Sequence, residues 1–440
     1  MIYSKYKEYL NLIYLGKYYN QKGGNTMFGE QIYNSDKDVK YLFKEGHPSV
    51  SKLIVIFSGY ASFRAKIKHP YNYMNTLKDI HAHKLFILDD NGESGSYYFG
   101  ENLNFAVDSS VISLILDYGK RYNVVNEDII TLGSSKGGTA ALYFGLKYKL
   151  GAVFAGAFQT KISDYITSTR SHSSEFLFNN DNKLIYQENF NQLNNVVFNL
   201  LNTPIYSNLY LISSENDWQY KVHVEPFMKK LDQLNISYDF HLSEEMKNHS
   251  EISIYFPKYF IDKLIHELFN IHIQSIDINL KEDSFSVKGN ALNLSKNKYK
   301  LIYYYQLNSK ITNIEQDKVF TPKLPGFYNF YVAITDSNES ILYKKLIESK
   351  YYSAKILEKP HIELYISDEK LHFSIDVNTS LNLEFAYYIK ENGKVINKIM
   401  YSNQTSIECD VNKGKKYSVQ YFIMTNSGIK IVNDSNIVLA

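Results

Sequence analysis

The 440-residue chain is long enough for about two to four domains, each with its own core. Its 48 Lys and Arg nearly balance 46 Asp and Glu, which gives no general electrostatic reason to bind nucleic acid or an anionic membrane surface. A single cysteine, Cys409, excludes an internal disulfide and fits a reducing compartment, and no Cys/His cluster has the spacing of a metal site.

The first residues do not read as a secretory signal, because the apolar piece Tyr9 to Leu15 is short and is followed by Lys17 and polar residues. No stretch approaches the roughly 18 apolar residues of a membrane span. The expectation is a soluble protein that stays in the cytoplasm. Lys22-Gly23-Gly24, a triplet that a purine-rich ribosome-binding sequence can encode, stands just before Met27. It points to Met27 as the biological start, with residues 1–26 an extension.

Residues Met27 to Lys44 alternate weakly around the turn formers Asn34-Ser35-Asp36, which predicts a leading hairpin at a sheet edge within a segment 1–46. Leu53 to Phe57 is a continuous apolar strand ending in Ser58-Gly59-Tyr60, and Lys84 to Leu88 is another, closing on Asp89-Asp90-Asn91-Gly92. A helix is predicted from Phe105 to Tyr122, then a strand from Ile129 to Leu132 that runs into Gly133-Ser134-Ser135-Lys136-Gly137-Gly138 and a helix-forming run. This strand–turn–helix carries Gly-x-Ser-x-Gly, the spacing that exposes a serine hydroxyl on a sharp turn where bulkier neighbours would collide with the adjoining strands. A Walker-type phosphate loop is excluded because the lysine precedes the glycines. A strand at Ala152 to Phe158, a polar and less regular insertion, a strand at Leu209 to Ser213, a helix at Val222 to Leu234, a strand at Ile236 to Leu242 and a helix at Ser250 to Phe269 follow, Pro257 either starting or kinking the last.

Alternating strands and helices over residues 47–271 predict a mostly parallel sheet covered on both faces, with functional groups at the carboxyl ends of the strands. Three such ends deliver Ser135, then Ser214-Glu215-Asn216-Asp217-Trp218, then Lys247-Asn248-His249-Ser250. The order Ser, acid, His is that of α/β-hydrolases. Ser135 is thus the candidate nucleophile, His249 the base, and Asp217 the acid with Glu215 as its rival. His223 within a helix and His241 within a strand are poorer bases. Oxyanion donors are expected from the backbone amide of Lys136 and from Gly59 or Tyr60, the lysine side chain facing solvent. Tyr97, Tyr98 and Gln159 leave other strand ends and can stack on or hydrogen-bond a sugar, plain packing being their competing role.

From about Ile273 short alternating aromatic strands replace helical spacing. Tyr303-Tyr304-Tyr305-Gln306-Leu307 matches Ala386-Tyr387-Tyr388-Ile389-Lys390, and Phe327 to Asp336 matches Tyr417 to Asn426. A repeat of about 85 to 90 residues, with Asn392-Gly393 as a hairpin turn, predicts tandem β-sandwiches of immunoglobulin or fibronectin type over 272–355 and 356–440. These modules could hold a glycan, a partner protein or nothing beyond the enzyme itself, a structural or partner-docking role being the expectation.

The elbow GSSKGG, the strand end FSGY, the loop LDDNGESGSYYFGEN and the closing NHSE resemble α/β-hydrolase-like proteins of bacterial capsular polysaccharide biosynthesis. More remotely they resemble the serine-dependent O-acetyltransferase of the accessory Sec system, and the β units resemble the three-Tyr modules of some relatives. The resemblance spans approximately residues 47–271. It implies catalytic roles for Ser135, Asp217 and His249, no metal or cofactor, and acyl transfer to, or removal from, a surface glycan or glycoconjugate made in the cytoplasm. A second expectation, of a different class, is a non-catalytic hydrolase-fold scaffold in a polysaccharide-assembly or secretion complex.

Overall fold

Apolar runs without alternation belong in strands buried on both faces, and the computed structural model of the protein is built on such strands. It describes residues 29–60, 69–178, 182–281, 284–307, 309–320, 322, 326–352, 360–379, 382–425 and 430–440. The Met27 start and the extension before it lie outside the described residues. The chain divides into two compact units, the first comprising Met1–His272, Leu292–Lys300 and Thr335–Tyr343, the second Ile273–Ala291, Leu301–Ile334 and Lys344–Ala440.

The first unit holds an eight-stranded sheet in the order β1-β2-β4-β3-β5-β6-β7-β8. Its strands are β1 (Gln31–Tyr33), β2 (Val39–Lys44), β3 (Leu53–Phe57), β4 (His83–Ile87), β5 (Ile129–Ser134), β6 (Ala152–Gly156), β7 (Asn208–Ser213) and β8 (Asp239–Leu242). The leading hairpin forms the antiparallel edge, with Tyr41 opposite Ile87 of β4, and every later pairing is parallel. All five residues of β3, β4 and β6 are buried, the apolar runs as predicted and the polar His83 and Lys84 of β4 with them.

The helices are α1 (Ala106–Arg121), α2 (Lys136–Lys147), α3 (Ile162–Thr169), α4 (Ser171–Phe178), α5 (Lys183–Leu200), α6 (Glu225–Gln233) and α7 (Ile252–Phe269). α1 is amphipathic and buries Val107, Val111, Leu114, Ile115 and Tyr118, whereas α2 is buried from Lys136 to Leu146. α7 runs through Pro257 and ends on Asn270 in the left-handed conformation (φ 55°), where Asn is tolerated as a helix terminator. The insertion between β6 and β7 is not irregular: it is α3, α4 and α5. A π-helical turn, Tyr220–Val224, precedes α6.

β3 leads to β4 on one side, and the chain then returns to place β5 on the other side of β3. The carboxyl ends of β3 and β5 therefore flank the point where strand order reverses, and open α/β sheets form their binding crevice there. That topology brings Gly59 and Tyr60, leaving β3, to the end of the sheet that carries Ser135.

The second unit consists of antiparallel sheets of the β-sandwich type. Among the described residues a three-stranded and a four-stranded sheet precede a three-stranded and a five-stranded one. The aromatic repeats occupy equivalent strands: Lys300–Leu307 neighbours Gly326–Thr335, and Leu383–Glu391 pairs with Lys416–Thr425. Asn392 (φ 46°) and Gly393 (φ 80°) make the hairpin turn after Leu383–Glu391, as their sequence predicts. Two separate cores lie between the sheets, one around Phe285, Tyr328 and Phe330, the other around Phe373, Tyr387 and Tyr421.

Candidate active site

Ser135 links β5 to α2 with φ 53° and ψ −127°, a conformation that costs a non-glycine residue energy and holds its side chain off the sheet end. The turn closes only because its neighbours lack side chains. A Cβ on Gly133 would lie 2.2 Å from the Gly137 carbonyl oxygen, and one on Gly137 would lie 2.5 Å from the Phe57 oxygen. The Ser135 amide donates to the Gly156 carbonyl at 2.8 Å, pinning the turn to the neighbouring strand.

His249 opens a short 3-10 turn whose preceding residue, Asn248, accepts a hydrogen bond from the Ser250 amide. Asp217 follows β7 on a turn closed by its own amide to Ser214 O at 3.0 Å and by the Tyr220 amide to Asp217 O at 2.9 Å. The three side chains meet: His249 Nε2 lies 2.9 Å from Ser135 Oγ and His249 Nδ1 lies 2.7 Å from Asp217 Oδ2. The second carboxylate oxygen accepts the Gln219 amide at 2.9 Å, which turns the first toward the imidazole. A carboxylate at Nδ1 fixes the proton there and leaves Nε2 to accept from the serine hydroxyl. Asp217 is buried, whereas Glu215, the alternative acid, is exposed. Fold and side chains together form a Ser-His-Asp triad of the α/β-hydrolase type.

Gln159 stands closer to the chemistry than a pocket border. Its Nε2 donates to Ser135 Oγ at 3.1 Å and to Gln219 Oε1 at 2.5 Å, while its Oε1 accepts from the Tyr97 hydroxyl at 3.1 Å. With Oγ accepting from this amide, the serine proton is directed to His249. Tyr97 and Tyr98 offer no ring face to a sugar, since both are buried at 1% exposure or less. Tyr98 uses its hydroxyl to accept from the Ser58 amide at 2.7 Å and to donate to Ile87 O at 2.9 Å. Their part here is packing and hydrogen bonding behind the site.

The expected oxyanion donors differ in their backbone surroundings. The Lys136 amide opens α2, where no intrahelical acceptor exists and the helix dipole favours negative charge. The Gly59 amide, however, already donates to Asn72 Oδ1 at 2.8 Å. Of the two residues expected from the β3 end, Gly59 therefore has its amide occupied by a side chain of this unit.

The Lys136 side chain also departs from expectation. Instead of facing solvent it is 1% exposed, with Nζ 2.6 Å from Asp89 Oδ2 and 5.2 Å from the centre of the Tyr60 ring. Asp89 is fully buried and also accepts from the Ser96 amide at 2.9 Å. Burial pushes its carboxyl up, but the Lys136 charge and these donors outweigh it and hold the group below the usual carboxylate range. A Cβ on Gly95 would lie 2.7 Å from Lys136 Nζ, so the loop after β4 wraps the lysine closely. Sequence reasoning missed Asp89, Asn72 and Gln219. Only Asp89, a carboxylate at a strand end, left a signal that could have been followed.

His223 is excluded as a base by its surroundings. It is buried in the π-helical turn, its Nδ1 accepts the Lys161 amide at 3.2 Å, and burial followed by the Lys161 charge lowers its pKa to about 4.

No family model and no curated protein sequence matches the chain. Among solved structures, the capsule O-acetyltransferase of Neisseria meningitidis serogroup A is similar at 23% identity over 57% of this chain and 98% of that one, with a TM-score of 0.47. A glycosylation-associated protein complex from Streptococcus agalactiae is similar at 14% identity over 55% of this chain and 47% of that one, TM-score 0.44. An S-formylglutathione hydrolase from Staphylococcus aureus is similar at 12% identity over 54% and 97%, TM-score 0.39. Similarity of this degree leaves the chemistry resting on the side chains themselves.

Proposed function

We propose that the protein is a serine acyltransferase or esterase whose substrate is a carbohydrate or glycoconjugate, in this reading a bacterial surface glycan or glycoprotein modified in the cytoplasm. The observation that carries the chemistry is the continuous chain of contacts from Ser135 Oγ through His249 to Asp217, at 2.9 Å and 2.7 Å. Ser135 Oγ attacks the acyl carbonyl while His249 Nε2 takes its proton, and Asp217 stabilises the imidazolium. The oxyanion of the tetrahedral intermediate accepts from the Lys136 and Tyr60 amides. His249 then returns the proton to the departing alcohol or thiol, leaving an acyl-serine. A sugar hydroxyl, or water, deprotonated by the same imidazole completes the reaction. The carbohydrate part of the reading is supported by the likeness of the GSSKGG, FSGY and NHSE segments to capsule-biosynthesis proteins.

Labelling with a fluorophosphonate tests the nucleophile. Wild-type protein reacts and Ser135→Ala does not; equal labelling of the two would remove Ser135 from the mechanism and return the scaffold role. Acetate release from p-nitrophenyl acetate or acetyl-coenzyme A, followed with and without glycans, separates transfer from hydrolysis: an acceptor that captures the acetyl group marks a transferase.

A further inference from the structure

Trp218 is the chain's single tryptophan, and it is 57% exposed. It directly follows Asp217, whose Oδ2 holds His249, and its ring lies nearly parallel to that of Tyr165 (centroids 6.0 Å apart, 16° between planes). Tyr165 is 4% exposed and stands on α3, which begins shortly after Gln159, the residue hydrogen-bonded to Ser135 Oγ. The stacked rings therefore join the loop that carries Asp217 to the helix that follows Gln159, and the buried phenol backs an exposed indole. An exposed indole held flat against a buried ring, one residue from the triad acid, has the form of an aromatic binding surface.

We propose that Trp218, backed by Tyr165, is a stacking platform for a pyranose ring of the glycan, and so a substrate subsite on the acid side of the triad. The inference rests on the carbohydrate reading above. A sugar presents an apolar C–H face to the indole and hydroxyls around its rim. The same loop supplies groups for the hydroxyls: exposed Glu215, which forms no ion pair among the described residues, and exposed Asn216. A carboxylate here disfavours the phosphates of a nucleotide donor, the other ligand whose flat ring could use the indole.

Because the chain has one tryptophan, its emission reports on this subsite alone. Glucose, galactose, mannose and their N-acetylated 2-amino forms, titrated at millimolar concentration into the full chain, are expected to give a saturable change with at least one sugar. Calorimetry with the same sugars is expected to show at least a tenfold weaker interaction for Trp218→Ala, the loss of one stacking contact. Trp218 is exposed enough for that variant to fold. Unchanged emission with every sugar, or equal affinity in the variant, overturns the subsite, and a response to coenzyme A alone assigns the indole to the donor instead. Fluorophosphonate labelling of the same preparation keeps the two readings apart: labelled protein that ignores sugars defeats the platform, whereas unlabelled protein that binds them through Trp218 defeats the catalytic proposal.

Discussion

Replacing Lys136 by methionine keeps the length of the side chain, removes its charge, and leaves Asp89 without its counter-ion in a site with no access to water. The pair is 2.6 Å apart and both side chains are essentially unexposed. In a medium of effective dielectric about 20, attraction at that separation is worth roughly 6 kcal/mol, most of which is spent on taking the two charges out of water. Breaking such a pair from one side costs about 3–5 kcal/mol, because the orphaned carboxyl must either stay charged away from water or take up a proton. The Ser96 and Tyr98 amides still donate to Asp89, at 2.9 and 3.3 Å, and place the loss nearer the lower end of that range. Adding Asp89→Asn keeps an acceptor for those amides and removes the charge, so the double variant is expected to recover about 2 kcal/mol relative to Lys136→Met. Urea unfolding followed by tryptophan emission is the assay, and Trp218, in the first unit, makes the transition specific to that unit. A loss below about 1 kcal/mol for the single variant, or a double variant no more stable than it, would refute the claim that this ion pair is closed to solvent and holds the base of the elbow.

Asp217→Asn is expected to lower kcat on an acetate ester by roughly a thousandfold or more with little change in KM, since the amide can hold His249 only in the wrong tautomer. A loss of tenfold or less would show that the carboxylate is dispensable. His223 gives a pH signature of the fold. Its pKa falls from 6.5 to about 4 on folding, so below pH 6.5 the unfolded chain takes up a proton that the native state refuses. Its contribution to stability is complete above pH 6.5 and is lost as the pH falls toward 4, on the order of 3 kcal/mol in all. Chemical denaturation at pH 7 and pH 4.5 should show that slope in the wild type and a shallower one in His223→Gln.

The elbow was legible because each of its requirements is local: an apolar strand, glycines where a Cβ would strike backbone, and a helix former straight after. The order of the triad was legible for a related reason, as strand ends in a parallel sheet point the same way and the chain visits them in sequence. α5 was hidden by its composition. Its run of Asn and Gln masks the helical period, and only Leu193 and Val197 of its residues are buried. Lys136 was misread because lysines at helix starts usually face water, and the carboxylate that buries this one comes from a loop 47 residues earlier. The engagement of Gly59 by Asn72 is equally silent, since nothing in an asparagine's neighbours announces which amide it will accept from.

The backbone at Ser135 sets local comfort against reactivity. A left-handed turn of that shape is natural to glycine and costs any other residue on the order of 1–3 kcal/mol, so the folded unit would be better off without the very hydroxyl it displays. Ser135→Gly should therefore be sturdier than its parent and chemically inert, whereas Ser135→Ala keeps the tension and loses only the oxygen. The gap between those two proteins in a melting experiment measures what the scaffold gives up to hold its nucleophile ready.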